Sequence, residues 1–190
     1  TETAWFIGYF LGNRSVSQRF RTNTNAYDNK FRISCPTNYP TICEKVETAF
    51  NKIVGDKYTT YNKGTSIEFT TSKEIITNYF LHIKQPNTSI VIPEFIKQNT
   101  REIQLAFLAG LLDSDESVRN ETINNKGTGQ ITLLSSKYEK FIEEVQTLYN
   151  FVGIITKRQD KHRQGKSTEF ILKTVSSTYR NKCYYDLLEY

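Results

Sequence analysis

The sequence of 190 residues contains few cysteines and no long apolar run. Three cysteines, Cys35, Cys43 and Cys183, are too few for a disulfide framework and do not have the spacing of a zinc site. This usage is typical of a reducing compartment, so we expect the chain in the cytoplasm or nucleus. No apolar stretch is long enough to span a membrane, and the N-terminus lacks a charged-then-apolar signal pattern. The chain opens almost directly into a helical pattern, so we expect it to be a domain of a longer protein.

Charge and composition set only broad limits. The net charge is +5 and the isoelectric point is about 9.0, which allows a polyanionic partner but is equally compatible with a merely soluble surface. Twelve Tyr, twelve Phe and one Trp can fill a core although only 37% of the residues are hydrophobic. At this length the chain can form one domain or two half-size lobes that share a core.

One stretch, residues 107–115, has an unusual layout and reads FLAGLLDSD. It is typical of an apolar helix that ends at two acidic residues, Asp113 and Asp115. A helix C-terminus carries partial negative charge, so acids there indicate that a positive group lies beyond it. Gly110 and Ser114 are four residues apart on one face, where small residues let another backbone approach closely.

A second stretch, residues 5–13, reads WFIGYFLGN and has the same layout. Two helices with matched small residues and matched ends predict a paired core with a pseudo-two-fold axis. We expect the four small residues to form the helix interface. The aligned pairs are Gly8 with Gly110, Gly12 with Ser114, and Asn13 with Asp115.

The remaining sequence repeats one plan of helix, hairpin, helix, hairpin and helix, which predicts an α+β fold of two αββαββα repeats. We expect the first repeat at 1–84, a linker at 85–100 and the second repeat at 101–190. In the first repeat we predict strands at 16–21, 30–35, 57–61 and 66–70, and helices at 41–54 and 72–84. In the second we predict a helix at 101–115, strands at 117–123 and 130–135, a helix at 137–151 stopped by Gly153, and a final hairpin.

Alternation along the predicted strands separates apolar from basic faces. Phe31, Ile33 and Cys35 are predicted to face the core, opposite the basic residues of the same hairpin. The predicted apolar side of helix 72–84 consists of Ile75, Ile76, Tyr79, Phe80 and Ile83. The tip of the last hairpin is predicted to contain Lys157, Arg158, Lys161, His162, Arg163 and Lys166. Several basic hairpins favour a concave cationic surface for nucleic acid, although a charge run is often only a solvated loop.

The two helical stretches resemble the motifs of LAGLIDADG homing endonucleases. Residues 108–115 are a near-literal match, and residues 5–13 are a looser one. The lead-in Ile92–Phe95 with Arg101 resembles single-chain endonuclease domains of inteins, especially that of the yeast vacuolar ATPase. The segment Arg180–Asp186 resembles the point where such inteins re-enter their splicing domain.

This resemblance implies a fold, a partner and a mechanism. Two motif helices would pack centrally, and two saddle-shaped antiparallel sheets would lie over the major groove of double-stranded DNA. Asp115 and Asn13 would be the catalytic and metal-binding residues, with Gly12 and Ser114 as further ligands of Mg²⁺ or Mn²⁺. The chain would act as a monomer with internal pseudo-symmetry, beside a flanking splicing domain if it belongs to an intein. The implied DNA-binding residues are Arg19, Arg21, Lys30, Arg32, Arg119, Lys157, Arg158, Lys161, Arg163 and Lys166.

The sequence also departs from the family pattern. Asn13 stands where the first motif should carry an acid, and an amide brings no charge to a metal. The usual Gly after the acid is Arg14 in one repeat and Glu116 in the other. The two residues would either form an ion pair near the axis or both project into solvent. The lysine that intein relatives carry before Ile92 is missing. Cleavage is therefore predicted to be weakened or lost.

Three interpretations follow from these departures: a weakened endonuclease, an inactive DNA-binding regulator or maturase-like protein, and an intein remnant with no DNA role. Asp113 is interpreted either as a structural cap of the helix exit or as a metal ligand.

Overall fold

The computed structural model describes residues 1–13, 15–23, 25–85, 88–114, 130–162, 164–165, 167–187 and 190. Its elements in chain order are α1 (Glu2–Asn13), β1 (Ser15–Arg21), β2 (Ala26–Pro36), α2 (Pro40–Val54), β3 (Thr59–Asn62), β4 (Ser66–Thr71), α3 (Glu74–Ile83), β5 (Lys84–Gln85), β6 (Ser89–Ile90), α4 (Glu94–Lys97), α5 (Arg101–Ser114), β7 (Thr132–Ser136), α6 (Glu139–Phe151), β8 (Thr156–Lys161), β9 (Glu169–Thr174) and α7 (Ser177–Leu187).

These elements form two compact units. The motif-helix unit consists of Thr1–Asn13 and Ile92–Tyr190, and the sheet unit consists of Arg14–Val91. The second motif helix therefore belongs to the same unit as the first, although about a hundred residues separate them in sequence. Within the described residues, no helix has the length and apolar character needed to cross a membrane.

The sheet unit is built on one antiparallel sheet in the order β1-β2-β4-β3. The predicted inner face is confirmed, because Phe31, Ile33 and Cys35 are fully buried. The Phe31 ring stacks on Phe80 of α3, with 4.0 Å between the ring centroids, and on Phe50 of α2 at 5.7 Å. Both helices therefore pack against the inner face of the sheet.

The predicted apolar side of α3 is wrong for two residues. Ile75 is 72% exposed and Tyr79 is 40% exposed, whereas Thr77 is fully buried, as are Phe80 and Ile83 of the same helix. The Thr77 hydroxyl donates to the main-chain oxygens of Lys73 and Glu74, so a polar residue can be buried there without losing its hydrogen bonds. The buried stripe is thereby rotated away from Ile75.

The motif-helix unit contains a three-stranded antiparallel sheet in the order β7-β9-β8. This order matches β2-β4-β3 of the sheet unit, as a duplicated plan requires. The predicted strand at 117–123, which would be the counterpart of β1, lies outside the described residues. Leu134 and Leu172 are buried on the inner face, as are Phe141, Ile142 and Val145 of α6.

Both middle helices end as predicted at a glycine. Gly55 follows α2 with a φ of +76°, and Gly153 follows α6 with a φ of +80°. Both values lie in the left-handed region that glycine adopts without steric cost. The last predicted hairpin is confirmed, but Lys157, Arg158 and Lys161 lie on strand β8 rather than in its tip.

Candidate helix-pair site and nucleic-acid interface

The helices α1 and α5 pack through their glycines. A side-chain carbon on Gly8 would overlap the main-chain oxygen of Phe107 and lie 3.0 Å from the nitrogen of Leu111. A side-chain carbon on Gly110 would overlap the main-chain oxygen of Trp5 and lie 2.8 Å from the nitrogen of Tyr9. The obstructing atoms are main chain in both cases, so only glycine allows this approach.

These contacts are reciprocal. Trp5 stands three residues before Gly8, and Phe107 stands three residues before Gly110, so each glycine meets the equivalent residue of the other helix. A helix pair with a two-fold relation produces this exchange, whereas an accidental crossing has no reason to. The predicted helix interface is therefore present, with its pseudo-two-fold relation, in the described residues.

Gly12 and Ser114 continue the interface towards the helix ends. A side-chain carbon on Gly12 would lie 2.7 Å from Ser114 Cβ and would overlap its hydroxyl. Ser114 is 2% exposed, and its Oγ donates to the main-chain oxygen of Leu111 at 2.7 Å. The hydroxyl is therefore buried within the helix pair and satisfied there.

A partly buried hydrogen bond crosses the same interface. Trp5 Nε1 donates to Asp113 Oδ2 at 3.0 Å, and the Trp5 ring stacks on Tyr9 with 5.2 Å between centroids. Asp113 therefore joins α5 to α1, which supports its interpretation as a structural residue. The equivalent positions of the two motifs hold Leu11 and Phe107, whose side chains have no hydrogen-bonding group. The bond is thus made on one side of the pseudo-two-fold axis only.

The structure does not describe the side chains of four predicted residues at the helix exits. The helix α1 ends at Asn13, whose side chain is not among the described groups, and α5 ends at Ser114, directly before Asp115. Arg14, Asp115 and Glu116 lie outside the described residues, and so does the expected Arg14–Glu116 pair. Their roles, and those of Gly12 and Ser114 as metal ligands, remain predictions. In the described part of the chain, no group of three or more His, Cys, Asp and Glu side chains could hold a metal.

The outer face of the sheet unit holds an open groove of about 830 Å³. Lys30 and Arg32 of β2 line it, as predicted for the basic face of this hairpin. Cross-strand register places Arg32 beside Thr70, and Thr70 beside Thr59. The sequence did not indicate that β3, β4 and the preceding loop also line this groove. Strand alternation would have assigned some of the β3 and β4 residues to the same face. The further lining residues include Lys57, Tyr58, Tyr61, Asn62, Lys63 and Glu68.

The outer face of the β7-β9-β8 sheet is also basic. Lys157, Gln159 and Lys161 alternate along β8 and are exposed. Lys157 lies opposite Lys173 of β9, a residue that the sequence analysis did not single out. Strand alternation would have assigned Lys157 and Lys161 to one face and Arg158 to the other.

Arg158 belongs to the inner side of this sheet. Its guanidinium donates to Asp160, Glu139 and Glu143, with the two shortest bonds at 2.7 and 2.6 Å, and it lies over the Phe170 ring at 4.8 Å. The hydrogen bond to Asp160, followed by that to Glu139, raises the pKa of Arg158 further above its ordinary value. Arg158 therefore connects β8 to α6, and we leave it out of the proposed DNA-binding surface.

The structure does not describe the side chains of the remaining predicted cations. Arg19 and Arg21 lie on β1 opposite Asp28 and Ala26, and their side chains are not among the described groups. Arg119, Arg163 and Lys166 lie outside the described residues. Ile90 and Ile92, in the lead-in to the second motif, are buried at 8% and 0% exposure.

Comparison with known proteins agrees with this geometry. Residues 102–185 match the family of LAGLIDADG-like domains. The structure of the homing endonuclease I-DmoI in complex with DNA and Mn superposes with a TM-score of 0.70 at 17% identity, covering 100% of this chain and 97% of that one. The chain has the LAGLIDADG homing-endonuclease fold. The resemblance of the two motif helices is thereby confirmed.

Two further solved structures are similar to this chain at lower TM-scores. The homing endonuclease I-WcaI bound to its DNA recognition sequence has a TM-score of 0.61 at 14% identity, covering 100% of this chain and 82% of that one. Full-length DUF199/WhiA from Thermatoga maritima has a TM-score of 0.53 at 9% identity, covering 98% of this chain and 54% of that one. No curated protein sequence matches the chain.

Proposed function

We propose that this chain is an intein-type LAGLIDADG endonuclease domain that binds a long, specific site on double-stranded DNA and has weakened or lost phosphodiester cleavage. The observation that carries the proposal is the reciprocal glycine packing of α1 and α5, since it brings two motif helices together around one axis. Both motifs belong to one chain, so a monomer suffices. The intein assignment is supported by the lead-in Ile92–Phe95 and by Arg180–Asp186.

The proposed DNA surface consists of the outer faces of the two sheets. Lysine and arginine side chains there would contact phosphates and fix the register of the duplex. Thr59 and Tyr61 are exposed among them and can donate to or accept from base edges in the major groove. Solved complexes of I-DmoI and I-WcaI contain DNA, which supports DNA as the partner here. The proposed cations are Lys30, Arg32, Lys57, Lys63, Lys157, Lys161 and Lys173.

The proposed metal site lies at the helix exits. Its donors would be the Asp115 carboxylate, the Asn13 amide oxygen and the main-chain oxygens of Gly12 and Ser114, all hard oxygen ligands suited to Mg²⁺ or Mn²⁺. Asp113 accepts a hydrogen bond from Trp5. Asp115 would therefore be the one charged ligand of the site, where two acids are usual. I-DmoI has been solved with DNA and Mn, with DNA and Ca, and in the presence of Mg, which supports a divalent ion.

A bound divalent ion would polarise the scissile phosphate and lower the pKa of the attacking water. The chain itself would position the phosphate between the two helix exits. Asp115 would supply the one negative charge that orients the site. Asn13 would supply an oxygen without charge, so the two DNA strands would meet unequal halves of the site. Single-strand nicking is therefore the form of cleavage that we expect to survive.

A plasmid assay tests this proposal. The preferred site is first selected from randomised duplexes and cloned into supercoiled DNA, which is then incubated with Mn²⁺. We expect slow nicking by the wild type, linear product from Asn13→Asp, and no product from Asp115→Asn, with equal DNA affinity for all three. An Asn13→Asp variant that binds but neither nicks nor linearises would refute a weakened endonuclease. Ile90→Lys is unsuitable as a further variant, because Ile90 is buried and a lysine there would place an unpaired charge in the core.

The second candidate is a DNA-binding protein without chemistry, which Asn13 favours. It predicts a gel shift with neither nicking by the wild type nor recovery in Asn13→Asp. An intein remnant predicts almost no DNA affinity. Salt dependence separates the remnant from both DNA-binding functions. If about six phosphates are contacted, log K should fall with log salt at a slope of about −5, whereas a flat response would indicate the remnant.

A further inference from the structure

Each basic sheet face carries one glutamate on its central strand. Glu68 lies on β4, between β2 and β3, and its register partners are Ser34 and Tyr61. Glu169 lies on β9, between β7 and β8, opposite Lys161. The two positions are equivalent in the duplicated plan, and a phenylalanine follows each. A glutamate at this equivalent position therefore occurs in both sheets.

Both carboxylates are held in place by neighbours on the sheet. Lys63 Nζ lies 2.6 Å from Glu68 Oε2, and the Glu68 side chain is only 16% exposed. Ser135 Oγ donates to Glu169 Oε1 at 2.6 Å. Each contact fixes one oxygen of the carboxylate, which reduces the rotamer freedom lost when another donor is bound.

A carboxylate opposes binding to a polyanion, so its place on such a surface requires a reason. A gain in stability explains little, because an ion pair such as Lys63–Glu68, whose lysine is 53% exposed, contributes only a small amount. Phosphates and sugars offer a carboxylate no favourable charge. The donors of the major groove are the exocyclic amino groups, N4 of cytosine and N6 of adenine, and acidic side chains accept from cytosine N4.

We propose that Glu68 and Glu169 are specificity-determining residues that accept hydrogen bonds from base amino groups, cytosine N4 above all, one in each half of the DNA site. This inference depends on the proposed DNA-binding function. Lys63 would compensate the repulsion between Glu68 and the backbone, and Ser135 would orient Glu169. The glutamates would lower affinity for all DNA and raise discrimination at one base pair each.

The test compares Glu68→Gln and Glu169→Gln with the wild type by selection from randomised duplexes, followed by affinity measurements on the selected site and on its single-base variants. Glu47→Gln is the matched control, because Glu47 is exposed on α2, which packs on the inner face of the sheet. Thermal unfolding of each variant, and of Glu68→Ala, checks that the fold is kept.

We expect Glu68→Gln to lose about tenfold discrimination at one base pair of one half-site, and Glu169→Gln to do so in the other half-site. Affinity for unrelated DNA should rise at least twofold in both, while Glu47→Gln leaves the preference unchanged. Tighter binding with an unaltered base preference would overturn the inference, since the glutamates would then only adjust charge. A wild type that selects no sequence at all would instead refute the proposed function, and the inference with it.

Discussion

Replacing Gly8 by alanine probes the contact that defines the helix pair. Alanine is the better helix former by about 1 kcal/mol, so helix propensity alone predicts stabilisation. The new carbon would nevertheless lie 3.0 Å from Leu111 N and Phe107 C, and closer still to the Phe107 oxygen. Non-bonded atoms pack best at about 3.5–4.0 Å, so the overlap with the Phe107 oxygen would force α1 and α5 apart by more than about 1 Å. Main-chain atoms cannot turn aside as a side chain can.

The cost of that separation follows from the close packing of the interface. A gap of ~0.5–1 Å forfeits about a quarter to a half of the dispersion energy of the facing atoms. Because the residues around it are fully buried, we expect a loss comparable to a large-to-small core substitution, about 2–5 kcal/mol. After the gain in helix propensity, Gly8→Ala should destabilise the protein by roughly 1–4 kcal/mol.

Urea denaturation followed by the fluorescence of Trp5, the one tryptophan, measures this directly. Gly110→Ala should cost about as much, because its obstruction by Trp5 is equivalent. The double variant should cost less than the sum, since one separation relieves both clashes. Gly64→Ala is the control: its φ is +82° with nothing within 4 Å of the added carbon, so only backbone strain of about 1–2 kcal/mol is expected. Additive effects, or a stable Gly8→Ala, would refute reciprocal packing.

Three further predictions concern the same unit. Trp5→Phe should lower the free energy of unfolding by about 1.5–3 kcal/mol, because it removes a hydrogen bond to a charged group. In a double-mutant cycle with Asp113→Asn, the interaction energy between the two residues should account for most of that loss. Gly12→Ala should destabilise, and Ser114→Gly should largely rescue it by removing the obstructing atoms, which unfolding midpoints would show. Burial raises the pKa of Cys183 to about 12, so Cys183 of the native protein should resist thiol labelling at pH 8. Stability should fall from about pH 9 towards pH 12, because the thiol ionises first in the unfolded chain.

The helix pair could be predicted from the sequence because its signal is local and duplicated. Small residues at a spacing of four mark a close face on each helix, and Gly55 and Gly153 mark helix ends by their own backbone freedom. The buried face of α3 could not be obtained by counting apolar residues. Thr77 satisfies its hydroxyl within the helix, so it takes a core position that Ile75 was expected to hold.

The cations show a different limit. A run of basic residues gives charge but not partners, and Arg158 is held by Glu139 and Glu143 of the preceding helix. Those contacts arise only when β8 packs against α6, at separations of 15 and 19 residues. Alternation along β8 would have separated Arg158 from Lys157, but not shown what binds it. The Trp5–Asp113 bond is further from prediction still, because it joins residues 108 apart.

Packing and proposed chemistry depend on different atoms of the same helices. The interface is made by Gly8, Gly110 and main-chain atoms, none of which is altered by the residue at position 13. Asn13→Asp should therefore change stability little. A second carboxylate at a helix C-terminus is disfavoured by about 0.3–1 kcal/mol, so a small loss is expected without metal.

Added Mg²⁺ should reverse that loss in Asn13→Asp and raise its unfolding temperature more than that of the wild type, because the second carboxylate completes the charged ligand set. Thermal unfolding with and without Mg²⁺ measures this independently of cleavage. Equal shifts in both proteins would place the metal away from position 13. Because the packing of the helix pair does not depend on the residue at position 13, the same fold can carry either Asn13 or an acid there.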